Sequence, residues 1–530
     1  MKPLARSLRD YPPAMLRAVA EVNDLSLASN VALRMVEQLT SFLGDPARLD
    51  VVLAACSPAA SQALAVLMRD DGRGLRLVFE RQHGAIRAIG PGRLEREKPH
   101  LAPVSPTEEL WYRGLIYSAF AETPAGMAEF LYIPGEIAAL LPVPEPTSNG
   151  LPMPACQTPD AVQPASDFLL HDLCTLLCLI QAGEVRLVDG NDPTFWQRTS
   201  LYELHRYLLQ PHAGHEEDLR SGPGHPAALA LALANDLGWL QPRDRRMLAL
   251  HVRAVRSWLE APREQQRRIV MEAWRASQAW NDLCRTPSLV CEETGSWHND
   301  PVATRARLLP LFAQLEPGAW YELDVLGATV KAAAPDFQRP DGVYDTWYIR
   351  ERDRQTYLRG FNYWDSVEGA LLRFLVTGPL HWLGVVDLGF DAPQPSHARP
   401  AEATHAAGVF SITRAGHAWL SDQPSPPELT PGSLTVLSDY TILVPADAPL
   451  LDRFRVSRFT TWETPTHLRP DTVSAFRYRI TRSGLSRAAE QGIDALRVLA
   501  FLQERCVQPL PTPVVAGLQR WQEQATSAAT

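Results

Sequence analysis

The chain has 530 residues, of which 45% are hydrophobic and 21% are charged, and its 51 Lys and Arg against 60 Asp and Glu give a net charge of −9. This length predicts several domains, because a domain usually holds about 100–200 residues. The acidic balance excludes a nucleic-acid-binding coat over the whole surface, so any DNA contact has to come from a local basic face.

The targeting and cysteine patterns indicate an intracellular environment. The N-terminus has no signal-peptide pattern, and no apolar run reaches the roughly 18 residues of a membrane span. The seven cysteines form no Cys-x-x-Cys pair, which disfavours a disulfide framework and a zinc site. We therefore expect a cytoplasmic protein with reduced thiols, no membrane partner, and neither a metal nor a cofactor.

Prolines indicate where the chain divides. Seven prolines between 142 and 165 predict a linker, because proline removes a backbone donor and cannot continue a helix or a central strand. A shorter linker is predicted at 421–432, and helical spacing of apolar residues dominates elsewhere. The predicted domains are an N-terminal helical, winged-helix-like domain at 1–141, a helical domain at 166–300, a second winged-helix-like domain at 301–420, and a C-terminal domain at 433–530.

One arrangement occurs twice, at 108–141 and 366–420. A helix ends at a glycine, two short apolar strands follow, and the second strand leads into a new helix. This is the second half of a winged helix, which preceding helices at 46–69 and 304–333 would complete. The alternative is a generic helix and hairpin without common ancestry. The predicted fold class is α+β, mainly α, with several domains.

Two strand-to-helix junctions share the pattern aromatic-x-Ile-Thr-Arg-small-Gly, at 410–416 and 478–484. In both, the threonine (Thr413 or Thr481) is placed to cap the helix that follows, since a threonine hydroxyl can accept an orphan N–H of the first turn.

Residues 433–525 carry the most specific motifs. They are Asp439-Tyr440-Thr441-Ile442-Leu443-Val444-Pro445, then Tyr478-Arg479-Ile480-Thr481, and finally Leu510-Pro511 before a last helix that reaches about Trp521. Their order resembles the helicase-associated domain (the N-terminal XPB-like domain) that precedes the motor in bacterial XPB-type helicases and also occurs in motorless relatives. The resemblance covers only the C-terminal part of the chain. It implies a small unit of one sheet and a few helices that accompanies a helicase.

The motor itself is missing. A helicase needs a Gly-rich phosphate loop that ends in Gly-Lys-Ser/Thr. No Gly-Lys dipeptide occurs, and the three lysines (Lys2, Lys98 and Lys331) follow no Gly-rich turn. No Asp-Glu box and no nucleophile motif occurs either. We therefore expect no ATPase activity and no catalytic residues.

Candidate nucleic-acid-binding residues lie in the C-terminal domain. Eight arginines stand there among three acidic residues (Asp452, Glu463 and Asp471), and aromatic residues alternate with them. Arginine forks suit phosphates, and aromatic rings suit unstacked bases. The alternative is a solvated face whose aromatic residues belong to the core. The candidate residues are Arg453, Arg455, Arg458, Arg469, Arg477, Arg479, Arg482 and Arg487.

Two functions agree with this sequence. The first is a non-catalytic DNA-binding or helicase-accessory protein, for which the C-terminal resemblance and the arginines argue. The second is a protein–protein interaction scaffold that docks a separate helicase or nuclease, for which the acidic net charge and the aromatic-rich segment 317–385 argue. The alternative for that segment, which its mixed composition favours, is core packing around a large inserted loop. A second basic stretch, 69–98, could grip phosphates without sequence preference or be a polar loop.

Overall fold

The computed structural model describes residues 2–123, 126–142, 151, 153–165, 167–185, 224–244, 247–293, 298–390, 407–424, 430–463 and 475–529. The chain forms two compact units: unit 1 comprises Met1–Asn149 and Ala334–Asp345, and unit 2 comprises Gly150–Ala333 and Thr346–Thr530. Helices predominate, and the sheets are small and antiparallel, which confirms the predicted mainly α, α+β class. The finer division into predicted domains and linkers stays a prediction.

In unit 1, short helices surround a three-stranded sheet. Its strands are β1 (Arg73–Leu75), β2 (Tyr117–Thr123) and β3 (Gly126–Tyr132), in the order β1-β3-β2. Its helices are α1 (Leu4–Arg9), α2 (Pro13–Val22), α3 (Ala32–Leu43), α4 (Pro46–Ala54), α5 (Pro58–Arg69), α6 (Arg76–His83), α7 (Pro91–Glu97), α8 (Pro106–Tyr112) and α9 (Gly135–Ala138).

Local signals set the ends of α5. The hydroxyl of Ser57 accepts a hydrogen bond from the backbone N–H of Ala60 at 3.2 Å, and Pro58 occupies the first helical position. After Arg69, the backbone turns through Asp71 and Gly72, which both have positive φ. This cap and this turn set the two ends of α5, and the turn leads the chain into β1.

The segment Ala334–Asp345 completes unit 1. Arg81 of α6 donates to a carboxylate oxygen of Asp336 and to the carbonyl oxygen of Gly342. Its guanidinium carbon also lies 4.7 Å from the centroid of the Tyr344 ring. These charge-assisted contacts hold a segment that is distant in sequence against α6.

Unit 2 begins with a four-stranded antiparallel sheet, in the order β4-β10-β11-β8. Its strands are β4 (Ala161–Gln163), β8 (Trp320–Glu322), β10 (Val386–Phe390) and β11 (Val409–Ile412). Strand β4 lies in the stretch that the prolines predict to be a linker. It occupies the edge of the sheet between Pro159 and Pro164, the position where a proline-rich strand is tolerated.

The first part of unit 2 is otherwise helical, with two additional two-stranded sheets. These sheets pair β5 (Leu240–Pro242) with β6 (Leu248–Leu250), and β7 (Leu289–Cys291) with β9 (Ile349–Glu351). The helices are α10 (Phe168–Ala182), α11 (Pro226–Asp236), α12 (Val252–Glu260), α13 (Arg263–Ala276), α14 (Pro301–Phe312), α15 (Leu323–Ala333), α16 (Ala370–Leu375) and α17 (Arg414–Leu420).

The last part of unit 2 holds a second four-stranded sheet. Its strands are β12 (Thr435–Val436), β13 (Thr441–Pro445), β14 (Thr460–Trp462) and β15 (Ala475–Ile480), in the order β12-β13-β15-β14. The helices are α18 (Leu450–Ser457), α19 (Arg482–Glu490), α20 (Ala495–Arg505) and α21 (Thr512–Ala529). Within the part of the chain that the structure describes, no helix is both long enough and apolar enough to cross a membrane.

Candidate nucleic-acid interface

The C-terminal sheet has one buried and one exposed face, which the alternation along β15 sets. Phe476, Tyr478 and Ile480 point into the core, whereas Arg477 and Arg479 are exposed. The ring of Trp462 stacks on that of Tyr478, with the centroids 5.4 Å apart. The aromatic residues that alternate with the arginines in sequence therefore mainly hold the sheet to its helices.

Arg453 is part of the core, with 1% of its surface exposed. Its guanidinium donates to the Tyr478 hydroxyl at 3.0 Å, the His171 carbonyl at 2.9 Å and the Thr175 hydroxyl at 2.7 Å. Its central carbon lies 3.6 Å from the centroid of the Phe476 ring. Arg453 thus joins α10 to the C-terminal sheet. The predicted DNA contact does not suit this residue, because the guanidinium has no route to solvent.

Arg477 and Arg479 are exposed, but both lie near the same carboxylate, that of Glu463. Their side chains are 58% and 46% exposed, and both approach Glu463: Nε of Arg479 at 2.7 Å and Nε of Arg477 at 3.7 Å. A hydrogen bond from the backbone N–H of Thr441 lowers the pKa of Asp439, whose carboxylate lies 3.9 Å from Arg479. The positive charge of this face is partly offset, although exposed pairs of this kind are weak and exchangeable.

Three further candidate arginines are held elsewhere. Arg487 donates to the carbonyl of Thr460 at 2.7 Å, and Arg458 donates to the side-chain oxygen of Gln491 at 3.0 and 2.9 Å. Arg455 lies 3.8 Å from Asp452. Arg455 and Arg458 line a cavity between α12 and α18. None of the described residues that line this cavity belongs to β15. Arg469 lies outside the described residues.

Arg482 lies at the opening of a cavity of about 340 Å³, which we call the Arg482 pocket. It is lined by the first turn of α19, the middle of α21 and the residue Tyr440. The guanidinium carbon of Arg482 lies 5.5 Å from the centroid of the Trp521 ring, and Arg520 is exposed nearby on α21. The described lining includes two cations and two aromatic rings but no carboxylate. Such a site suits a planar ring that is joined to a negatively charged group.

The local backbone builds this pocket. Tyr440 adopts a positive φ of 68°, and its hydroxyl donates to the carbonyl of Pro513 at 3.0 Å. Gly517 permits this approach, because a Cβ at that position would lie 2.3 Å from the Tyr440 hydroxyl. Thr481 caps α19 by accepting from the N–H of Gly484 at 3.1 Å, which confirms the expected cap. The pocket therefore also receives the positive end of α19.

Sequence reasoning missed Arg520 and Tyr440 as members of this site. Both belong to the motif-bearing region, but they lie at its opposite ends, in the first motif and in the last helix. No local signal points to the site, because the ring contact joins Arg482 to Trp521, which lies in a different predicted helix.

The basic stretch in unit 1 is largely neutralised. Its ion pairs join Arg76 to Glu80 and Glu129, Arg81 to Asp336, Arg87 to Glu108, Arg93 to Glu97, and Lys98 to Glu21. Glu108 is fully buried, and the hydrogen bonds from Arg87 and Val104 help to lower its pKa against the opposing effect of burial. Arg87 holds the loop between α6 and α8 in place, since it pairs with Glu108 and donates to the carbonyl oxygen of Ala102.

No protein-family model matches this chain, and no curated protein matches it either. The resemblance of residues 433–525 to a helicase-associated domain therefore depends on their motifs alone.

Proposed function

We propose that this chain is a non-catalytic DNA-binding protein that acts as a helicase accessory, and that the Arg482 pocket holds an unpaired base of single-stranded DNA. The observation that carries this proposal is the meeting of Arg482, Arg520, Trp521 and Tyr440 around a cavity whose described lining has no carboxylate. Arg477 and Arg479 lie on the neighbouring strand β15 and extend the basic surface.

The chemistry of the pocket favours a single strand over a duplex. An unpaired base can leave its neighbours and stack on an aromatic ring, which contributes about 1–3 kcal/mol per base. A base inside a duplex has no free face to offer. The arginines and the positive end of α19 would then take the flanking phosphates.

The order of the strands in the two units supports the two predicted winged helices. In unit 1 the elements α5, β1, α6, α8, β2 and β3 follow one another, and the sheet order is β1-β3-β2. In unit 2 the elements α14, β8, α15, α16, β10 and β11 repeat this connectivity, with the corresponding order β8-β11-β10. We infer that both are winged helices, a fold that often serves nucleic-acid binding, although fold alone does not decide function.

The test is fluorescence anisotropy with labelled (dT)15 and with a 15-base-pair duplex. The full chain should bind (dT)15 more tightly than the duplex, and the double variant Arg482→Glu/Arg520→Glu should weaken (dT)15 binding at least about tenfold. The slope of log K against log salt should become shallower by roughly 0.7 for each phosphate that the variant no longer neutralises. Arg497→Glu is the matched control, because Arg497 is exposed on the adjacent helix α20 and does not line the pocket.

Two results would contradict the proposal. If (dT)15 did not bind at micromolar protein, or if its affinity did not depend on salt, a phosphate-contacting site would be excluded. An equal reduction in the double variant and in Arg497→Glu would show that general charge, and not the pocket, determines binding.

A further inference from the structure

A second cavity, of about 330 Å³, lies between α12 and α18 in unit 2, and we call it the Val252 groove. Its floor is aliphatic, because Leu250, Val255 and Leu259 line it together with Leu451. Val252 stands in its lining with 71% of its surface exposed. An exposed valine beside a buried aliphatic floor marks a surface on which burial of a further apolar group would be favourable, by about 25 cal/mol per Å².

The charged residues of the described lining are all basic. Arg256, Arg455 and Arg458 contribute to it, and the described lining residues include no carboxylate. Arg256 pairs with Glu260 at 2.7 Å, but this pair is exposed, and Arg455 approaches Asp452 only to 3.8 Å. Those two carboxylates line the adjoining cavity of about 670 Å³, which shares only Leu259 and Leu451 with the described lining of the groove. Arg256 and Arg455 can therefore exchange weak partners for the carboxylates of a ligand, whereas Arg458 is held by the neutral side-chain oxygen of Gln491, which leaves its charge uncompensated.

The mixture of an aliphatic floor with a cationic lining selects the class of ligand. A single-stranded nucleic acid usually binds through a basic groove together with several aromatic rings on which successive bases stack, and Phe454 is the one ring among the described lining residues. An aliphatic floor favours an apolar side chain instead, and arginines at the edge of such a floor are typical of protein–protein interfaces.

We propose that the Val252 groove docks an acidic segment of a partner protein. One large aliphatic or aromatic side chain of that segment enters between α12 and α18, and flanking carboxylates pair with Arg256, Arg455 and Arg458. This role is independent of DNA binding by the Arg482 pocket. It assigns Arg455 and Arg458 to a protein partner, although the sequence pattern places them with the nucleic-acid-binding residues.

The test starts with selection of random 12-residue peptides, displayed on phage, against the full chain. We then remove the peptides that also bind the double variant Val252→Glu/Arg455→Glu. The peptides that remain should carry Asp or Glu on both sides of Leu, Ile or Phe. A synthetic, labelled copy of the strongest binder should then lose at least about tenfold in affinity, by anisotropy, in each single variant.

Matched controls separate the groove from general charge. Val507→Glu also places a carboxylate at an exposed valine (83% exposed), and Arg253→Glu reverses an exposed charge on the same helix as Arg256, but neither residue lines the groove. Both variants should bind the peptide as the unchanged chain does. So should Arg482→Glu/Arg520→Glu, which makes a failure here distinguishable from a failure of the DNA proposal.

Any one of four outcomes would overturn this inference. In the first, the selection yields no peptide that prefers the unchanged chain to the double variant. In the second, the enriched peptides are neutral or basic. In the third, the variants of the lining residues bind the peptide as well as the control variants do. Displacement of the peptide by (dT)15 would likewise overturn it, because the groove would then belong to a nucleic-acid track.

Discussion

His381 is a buried histidine with one satisfied ring nitrogen. It is 2% exposed, and its Nδ1 lies 2.9 Å from the carbonyl oxygen of Val386. Its Nε2 is buried without a hydrogen-bond partner among the residues that the structure describes. Burial lowers the pKa of His381 to about 4, because the charged ring would lose its hydration.

This lowered pKa predicts a loss of stability in mild acid. Above pH ~6.5 the ring is neutral in both the folded and the unfolded chain. As the pH falls towards 4, the unfolded chain takes up a proton that the folded chain refuses, so the free energy of unfolding decreases by up to about 1.4 kcal/mol per pH unit. In urea denaturation between pH 6.5 and 5, His381→Gln should lose less stability than the unchanged chain, by about 2 kcal/mol at most.

The control for this comparison is His251→Gln, since His251 is exposed. Parallel pH profiles for the unchanged chain and His381→Gln would refute the assignment. Some slope should remain in the variant, because burial also lowers the pKa of His171 well below its ordinary value.

At the residue scale, the sequence identifies a cluster of arginines, but it does not predict which of their side chains are exposed. The eight candidate arginines share one residue type and one short region, yet Arg453 is buried and Arg482 is exposed. What distinguishes them is the tertiary neighbourhood: Arg453 finds His171 and Thr175 on α10, which lie 282 and 278 positions earlier in the chain. A local pattern contains no information about such a partner.

Among the helices, two glycines give a matched pair. Gly327 lies in α15 with open space where a Cβ would be, whereas Gly517 lies in α21 against Tyr440. Gly327→Ala should stabilise the chain by about 0.5–1 kcal/mol, since alanine loses less backbone entropy in a helix. Gly517→Ala should destabilise it and weaken (dT)15 binding, because Tyr440 must leave its place in the Arg482 pocket.

Thermal unfolding and anisotropy measure both effects in the full chain. The helix-propensity gain is the same for the two substitutions, so their difference isolates the contact with Tyr440. If Gly517→Ala stabilised the chain as Gly327→Ala does, the close approach of α21 to Tyr440 would be wrong.

At the element scale, local chemistry predicts junctions well. The predicted caps at Thr413 and Thr481 are both confirmed, because each depends on residues within three positions of one another. The helical stretch from Asp365 to Leu380 includes two π-helical turns, and it is kinked at Gly378, whose φ of −114° and ψ of −107° are not helical, just before Pro379. Burial of Leu375, Val376 and Leu380 holds this irregular end, which no helical periodicity signals.

The whole molecule depends on contacts across long sequence separations. In unit 1, Phe337 and Tyr344 are almost fully buried, so these two rings of the aromatic-rich segment 317–385 pack into a core. Arg81→Ala should release the segment 334–345, because a charged hydrogen bond contributes roughly 1.5–3 kcal/mol. Chymotrypsin cleavage after Phe337 or Tyr344 in the full chain should then become about tenfold faster, as mass spectrometry of the fragments would report.

Arg96→Ala serves as the control for this proteolysis, since Arg96 is exposed on α7. It should leave the cleavage rate unchanged. Equal rates for Arg81→Ala and the unchanged chain would mean that apolar packing alone retains the segment.

The discontinuity of unit 1 also has a consequence for biosynthesis. Residue 334 leaves the ribosome long after residue 149, and at the roughly 5–20 residues per second of protein synthesis this delay lasts on the order of ten to forty seconds. Throughout that interval the nascent N-terminal unit lacks the segment 334–345, whose Asp336 and Gly342 accept hydrogen bonds from Arg81 in the complete chain. Folding of unit 1 can therefore end only after translation has passed residue 345.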